Sequence, residues 1–216
     1  MAYSDVILAD SPVGYWKLDE TSGTTAADSS TYSNDGTISG SPTLGANGLV
    51  FEPSGKCIDF DGANDYVEPS TVTSNPANVS IEAWFKCDNN NESTVFSRRS
   101  TATPLLWLLL NHTGNGELKF RYRTTSGVLA DLVAPTNVYN DGKTHYVAIT
   151  ANLNERKLYV DGVLVVEDKT VLTGDITSTI MGIGVSNASG SRSSYMDGKI
   201  QHVAEYNTIN IKFSLI

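Results

Sequence analysis

At 216 residues and 23.2 kDa, with 40% hydrophobic and 18% charged side chains, the chain is long enough for one sizeable β domain and too apolar for a disordered tract. Its 15 basic and 24 acidic side chains leave a formal charge of −9, a surface that repels phosphate backbones and argues against nucleic acid as a partner. The 18 Gly and 7 Pro are scattered throughout, which suits short strands joined by many turns better than long helices.

The opening "MAYSDVILADSPVGYW" has no basic n-region, and its apolar run, Val6, Ile7 and Leu8, is too short for a signal or a membrane span. Synthesis in the cytoplasm without a cleaved leader, and no membrane partner, are the expectations. Strand-like runs then recur: "VGYWKLD", "KCIDFDG", "VSIEAWFKC", "STVFSRR", "LLWLLLN", "ELKFRYRT", "THYVAITAN", "RKLYVDGVLVVED", "IMGIGVS" and "GKIQHVAEYN". Ser/Thr/Gly-rich stretches at 21–33 and 39–48 read as long surface loops. In "SIEAWFK", Ile81, Ala83 and Phe85 share one face and Glu82, Trp84 and Lys86 the other, the period of a half-buried strand. "ELKFRYR" repeats the design, with Leu118, Phe120 and Tyr122 against Lys119, Arg121 and Arg123. Trp16 and Trp107 lie in apolar runs and are expected in the core. The basic pairs Arg98/Arg99 and Arg121/Arg123 read as solvated strand edges or loop charges.

Turn chemistry punctuates these runs: "NDG" at 34–36 and 140–142, Asp61-Gly62, and "VDG" at 160–162, which predicts a tight hairpin. Many strands, hairpins and no βαβ spacing predict an all-β, antiparallel two-sheet sandwich. Cys57 and Cys87 are expected as free thiols, since the protein folds in a reducing compartment.

Glycoside hydrolysis needs two flanking carboxylates. The nearest approach is Asp59 and Asp61, with Asp65 and Glu68 beyond, and a turn at Asp61-Gly62 accounts for the same residues. No Ser or Cys sits in a nucleophile elbow to work with His112, His145 or His202. The expectation is a protein that is not an enzyme. For sugar binding, the device is an aromatic platform with polar neighbours; Trp84 with Glu82 and Lys86 is the first candidate, and Tyr122 with Arg121 and Arg123 the next. For calcium, which takes six to eight oxygens, the loop is "DSSTYSNDG", with Asp28 and Asn34 as candidates and Asx-turn capping as the other reading of both.

Seven pieces, in order, resemble the laminin-G-like, concanavalin A-like jelly roll of bacteria and their viruses: "ADSPVGYWKLDETSG" with "DSSTYSNDGTI", "IDFDGANDYVEPS", "VSIEAWFK", "DGKTHYVAIT", "KLYVDGVLV", "MGIG" and "DGKIQHVAEYN". The resemblance covers residues 10–207 and implies two curved antiparallel sheets packed face to face. It implies further that Asp28, with backbone oxygens near Ser30 and Asn34, holds a structural ion completed by a carboxylate from the final strand. Here Gln201 and His202 stand where the family carries an acidic pair. The family also closes with a short polar helix, where this chain reads "TINIKFSLI".

Residues 1–207 are thus expected as the jelly roll and 208–216 as an apolar tail in which Ile211, Phe213, Leu215 and Ile216 dock on a protein partner. The alternative is that "NIKFSLI" closes its own sandwich. Chains opening like "YSDVILADSPVGYWKLDE" resemble virion proteins of tailed bacteriophages. The resemblance implies capsid decoration or a tail appendage, with partners on a virion lattice or in a self-oligomer. The competing reading is a carbohydrate-binding module for a cell-surface glycan.

Overall fold

The computed structural model describes residues 2–70, 78–99, 104–110, 112–124, 127–134, 138–173, 180–188 and 191–208. Helix α1 (Tyr3–Ala9) is followed by β1 (Gly14–Trp16), β2 (Thr25–Ala26), β3 (Gly36–Ser39), β4 (Thr43–Asn47), β5 (Lys56–Asp61), β6 (Tyr66–Pro69), β7 (Asn78–Lys86), β8 (Ser93–Arg99) and β9 (Pro104–Leu110). Then come β10 (Leu118–Arg123), β11 (Leu129–Val133), β12 (Thr144–Asn152), β13 (Arg156–Val160), β14 (Val163–Asp168), β15 (Ile180–Ile183), β16 (Ser186–Ala188), β17 (Ser191–Ser193) and β18 (Asp197–Tyr206). The two stretches read as loops, 21–33 and 39–48, carry β2 and β4. Both lie at sheet margins, where short polar strands leave little periodic signal.

One eight-stranded sheet runs β14-β13-β12-β7-β18-β5-β4, with β1 also on β18; the other runs β11-β10-β9-β8-β15-β6-β3-β2. All paired strands are antiparallel, and the fold is the two-sheet sandwich of a concanavalin A-like jelly roll. The core between the sheets draws on alternate residues of each strand: Val79, Ile81, Ala83 and Phe85 from β7, Leu106, Leu108 and Leu110 from β9, Leu118, Phe120 and Tyr122 from β10. Trp16 is in this core as expected.

Two residues depart from their predicted surroundings. Arg98 is 1% exposed. It faces inward because its register partners Leu106 and Met181 belong to the core, and it pairs there with Glu205 of the opposite sheet. Trp107 alternates with the core leucines of β9 and so stands on the other face of its sheet.

At 160–162 the predicted hairpin is present: Asp161 and Gly162 take φ 50° and 79°, the pair of positive values that a two-residue hairpin turn demands. Asp161 also accepts the Tyr146 N–H (2.9 Å), and His145 bridges Asp161 (2.9 Å) and Asp141 (3.1 Å). Cys57 and Cys87 are buried free thiols, and burial pushes the Cys57 thiol up to about 11.

Candidate functional site

Part of the outer face of the first sheet, over β1, β7 and β18, is covered by α1. Asp5, in the first turn, accepts the Ala2 N–H (3.0 Å), and the helix stops where Ser11 turns to φ 56° ahead of Pro12. Tyr3 and Ile7, one turn apart, face the sheet and pack with Tyr15, Ala204 and Tyr206. Beneath them Glu82 is 4% exposed. Its carboxylate accepts hydrogen bonds from Tyr206 (2.5 Å), Tyr3 (3.3 Å) and Tyr146. Burial holds the Glu82 carboxyl above the usual range, and the three hydroxyls pull it partly back. Burial and the Glu82 charge push the phenols of Tyr3, Tyr146 and Tyr206 well above theirs.

Trp84, next along this face, meets Tyr3 edge-on (5.9 Å between ring centres) and leans on Tyr146 (5.2 Å). His202 Nδ1 lies 2.6 Å from the Tyr15 hydroxyl, and burial brings its imidazole down to about 4. Of the expected open platform, Glu82 is therefore buried and Trp84 is half-buried beside Tyr3. The Tyr3/Ile7 spacing in "YSDVILA" is the signal that could have found its cover.

Gln201, which the resemblance set in the place of a metal-binding acid, works on the same face as a brace. Its Oε1 accepts the N–H groups of Leu49 (2.6 Å) and Val50 (3.2 Å), and its Nε2 donates to the Lys56 carbonyl (2.7 Å). Glu52 accepts the N–H (2.6 Å) and hydroxyl (3.2 Å) of Ser4. The loop so held, 48–55, presents Phe51 fully exposed.

On the second sheet, Tyr122 points into the core and offers a sugar no surface. Arg121 lies on the other face, its guanidinium 5.1 Å from the Trp107 ring centre. It donates two hydrogen bonds to Asp131, at 2.5 Å each, and Lys119 Nζ sits 3.0 Å from the same carboxylate. Arg123 is half-buried on this face. Arg121 is thus committed to a bidentate pair and a ring.

Lys86 lines a cleft of about 290 Å³ with Asp59, Asp88, Asp197 and Lys199. Gly198 lets β18 lie close against β7 here, since a Cβ on it would stand 2.3 Å from the Lys86 carbonyl oxygen. Burial raises the Asp59 carboxyl; Lys199, 3.9 Å away, opposes the shift, and Asp197 and Asp88 add to it. Asp61 and Asp65 serve the turn between β5 and β6: Asp61 accepts the Ala63 N–H (2.9 Å), and Asp65 those of Ser41 (2.7 Å) and Asp61 (3.1 Å). The carboxylates of Asp59, Asp88 and Asp197 beside the ammonium groups of Lys86 and Lys199 suit hydrogen bonds to a polyhydroxylated ligand.

The Asp28 loop does not fit calcium as arranged. Asp28 Oδ1 accepts the N–H groups of Tyr15 and Ser30, and Oδ2 accepts the Asn34 N–H and the Ser30 hydroxyl, all at 2.8 Å. The Asn34 carbonyl takes the Trp16 indole N–H (3.0 Å), while its amide donates to the Val13 carbonyl (3.0 Å). These are the bonds of a capped turn. The docking candidates Ile211, Phe213, Leu215 and Ile216 lie outside the described residues.

Among curated protein sequences none matches this one. Among solved structures, the receptor-binding domain of a botulinum neurotoxin mosaic serotype C/D is similar over 94% of this chain and 49% of its own, at 15% identity and a TM-score of 0.70. The binding domain of Paraclostridial Mosquitocidal Protein 1 is similar at 13% identity and 0.71, over 94% and 50%. Botulinum neurotoxin type C, whose cell entry depends upon interaction with two ganglioside molecules, gives 14% and 0.70, over 94% and 49%. The chain spans about half the length of these structures, and at such identities the likeness is one of fold. In sequence, residues 61–209, more than half of the chain, match the model of one family. By that match the chain belongs to the laminin-G-type branch of the concanavalin A-like lectin/glucanases superfamily.

Proposed function

We propose that the chain is a non-catalytic structural protein of a phage particle, a capsid decoration or tail appendage, made in the host cytoplasm and assembled on the virion. The observation that supports it most is where the apolar surface lies. Glu82 and Tyr122 are buried, Trp84 is half-buried against Tyr3 and Tyr146, and Arg121 is paired with Asp131, whereas Leu129, Val133, Val163 and Leu164 stand exposed on outermost strands, the positions that protein partners use. The opening stretch, with its resemblance to virion proteins, supplies the setting. In this reading Ile211, Phe213, Leu215 and Ile216 dock on a sheet edge of a lattice partner.

The test is mass spectrometry of purified particles from the source, together with light scattering on the full chain and on a version ending at Asn207. The chain is expected in the particles, and the shorter version is expected to stay folded while losing attachment to them. Particles without the chain would refute the reading.

A second reading, glycan recognition, is favoured by the cleft at Lys86, Asp59, Asp88, Asp197 and Lys199 and by the neighbours' use of this fold for receptor binding. Saturable binding to a glycan array, lost on Lys86→Ala, would advance it over the structural reading.

A further inference from the structure

Thr144 on β12, Lys86 on β7, Lys199 on β18, Asp59 on β5 and Thr43 on β4 are register partners in that order, so they form one row across the first sheet. They point to its outer face because Phe85, Ile200 and Ile58, the neighbours of Lys86, Lys199 and Asp59 along the strands, belong to the core. At the centre of the row two ammonium groups stand side by side. Like charges directly opposite on a ladder, roughly 5 Å apart at Cβ, destabilise it. The fold supplies little to offset them: Asp59 comes no nearer to Lys199 than 3.9 Å, and Lys86 has no ion pair among the described residues. Elsewhere on the surface Lys119, Lys143, Lys157 and Lys169 each lie within 3.1 Å of a carboxylate.

Asp197 precedes Lys199 by two residues and Asp88 follows Lys86 by two. Because β7 and β18 are antiparallel, both carboxylates fall on the same side of the lysine pair, about 7 Å along the strands at roughly 3.4 Å per residue. Both line the cleft of about 290 Å³ with the two lysines, and neither carboxylate has a hydrogen bond or ion pair among the described residues. The cleft therefore has a cationic end and an anionic end, neither of them used by the fold. Asp59 also lines a second cleft of about 240 Å³, with Ser41 and Thr43.

We infer that the cleft binds a sugar carrying both a carboxylate and an ammonium group, the carboxylate between Lys86 and Lys199 and the ammonium at Asp88 and Asp197. The inference rests on the glycan reading of this cleft and names the class of glycan. A carboxylate set between the lysines removes their repulsion, and charge-assisted hydrogen bonds are the strong kind. A phosphate or sulfate would face three carboxylates on a chain of net charge −9, a repulsion spared to a group that brings its own cation. A neutral sugar would leave the lysines as they stand. The volume, at the lower end of ligand pockets, suits one sugar unit, and the hydroxyls of Ser41 and Thr43 beyond Asp59 suit those of a second.

Chemical-shift titrations of the isotope-labelled full chain test it, with five probes run side by side. Muramic acid has both charged groups, N-acetylmuramic acid keeps only the carboxylate, glucosamine keeps only the ammonium, glucose has neither, and β-alanine is a zwitterion without a ring. Muramic acid is expected to bind about tenfold or more tighter than each of the others, and less tightly as salt rises. Lys86→Gln is expected to weaken muramic acid about tenfold and leave glucosamine unchanged. Asp197→Asn is expected to weaken muramic acid and leave N-acetylmuramic acid unchanged, with Asp88→Asn in its place if that variant disturbs β18. Lys86→Gln should also raise the urea midpoint, because it ends the repulsion with Lys199. Glucose, glucosamine or N-acetylmuramic acid binding as tightly as muramic acid would overturn the inference and leave the glycan reading standing. Equal binding of β-alanine, or muramic acid binding that survives both substitutions, would overturn both. Silence toward all five would overturn the inference, and the glycan array then tells whether the broader reading falls with it.

Discussion

Glu82 and His202 sit a few ångströms beneath the same helix with opposite pH behaviour. The native Glu82 carboxyl lies above its unfolded value of about 4.3, so the folded state holds that proton more tightly. Its contribution is complete below about pH 4.3 and is lost as pH rises through the native value. His202 falls to about 4 in the folded state from about 6.5 unfolded, so its contribution is complete above about pH 6.5 and is lost as pH falls toward 4, on the order of 3 kcal/mol in all. Glu82→Gln is expected to remove the alkaline-going loss, and His202→Asn, which tolerates the φ of 55° at that position, the acid-going one. Urea unfolding midpoints between about pH 4 and about pH 8 read both slopes. Unchanged slopes in both variants would show that other groups govern them.

Arg98 and Glu205 tie the two sheets together from inside, β8 to β18. Arg98→Met leaves a buried carboxylate without its cation and is expected to cost about 3 to 5 kcal/mol, whereas Arg98→Met with Glu205→Leu should recover most of it; unfolding midpoints of the three proteins check both statements. Asp161→Ala removes the acceptor of the Tyr146 N–H and the partner of His145 at once, and a loss of about 1 to 3 kcal/mol in the same assay is expected. Elements of this kind were readable from the residues in unequal measure. Alternation announced β7 and β10 and the "VDG" turn announced the hairpin, because both signals are local. It could not tell that the polar-looking face of β7 lies under α1, or that Arg98 has a carboxylate waiting in the opposite sheet, since those facts are made by chain segments 70 or more residues away. Trp84 and Glu82 were picked out for the right chemistry, aromatic beside carboxylate, but α1 buries Glu82 and leaves Trp84 only partly open. Lys86, of the same strand, does reach an open cleft.

At the scale of the whole molecule, β18 occupies the seat between β5 and β7 and also receives β1. Three strands from the first half of the chain thus wait for residues 197–206. Until the ribosome has delivered those residues, β5 and β7 face each other across an empty lane, with the N–H and C=O groups that line it unpaired. Closing that lane depends on contacts far apart in sequence, which makes it a late step and a slow one. The growing chain is then exposed to wrong pairing for most of its synthesis. A chain cut short before Asp197 is expected to be recovered as aggregate or digested by protease, whereas one ending at Asn207 has every described strand in hand. The cell's chaperones, rather than the finished protein's stability, would then set how much of it is made.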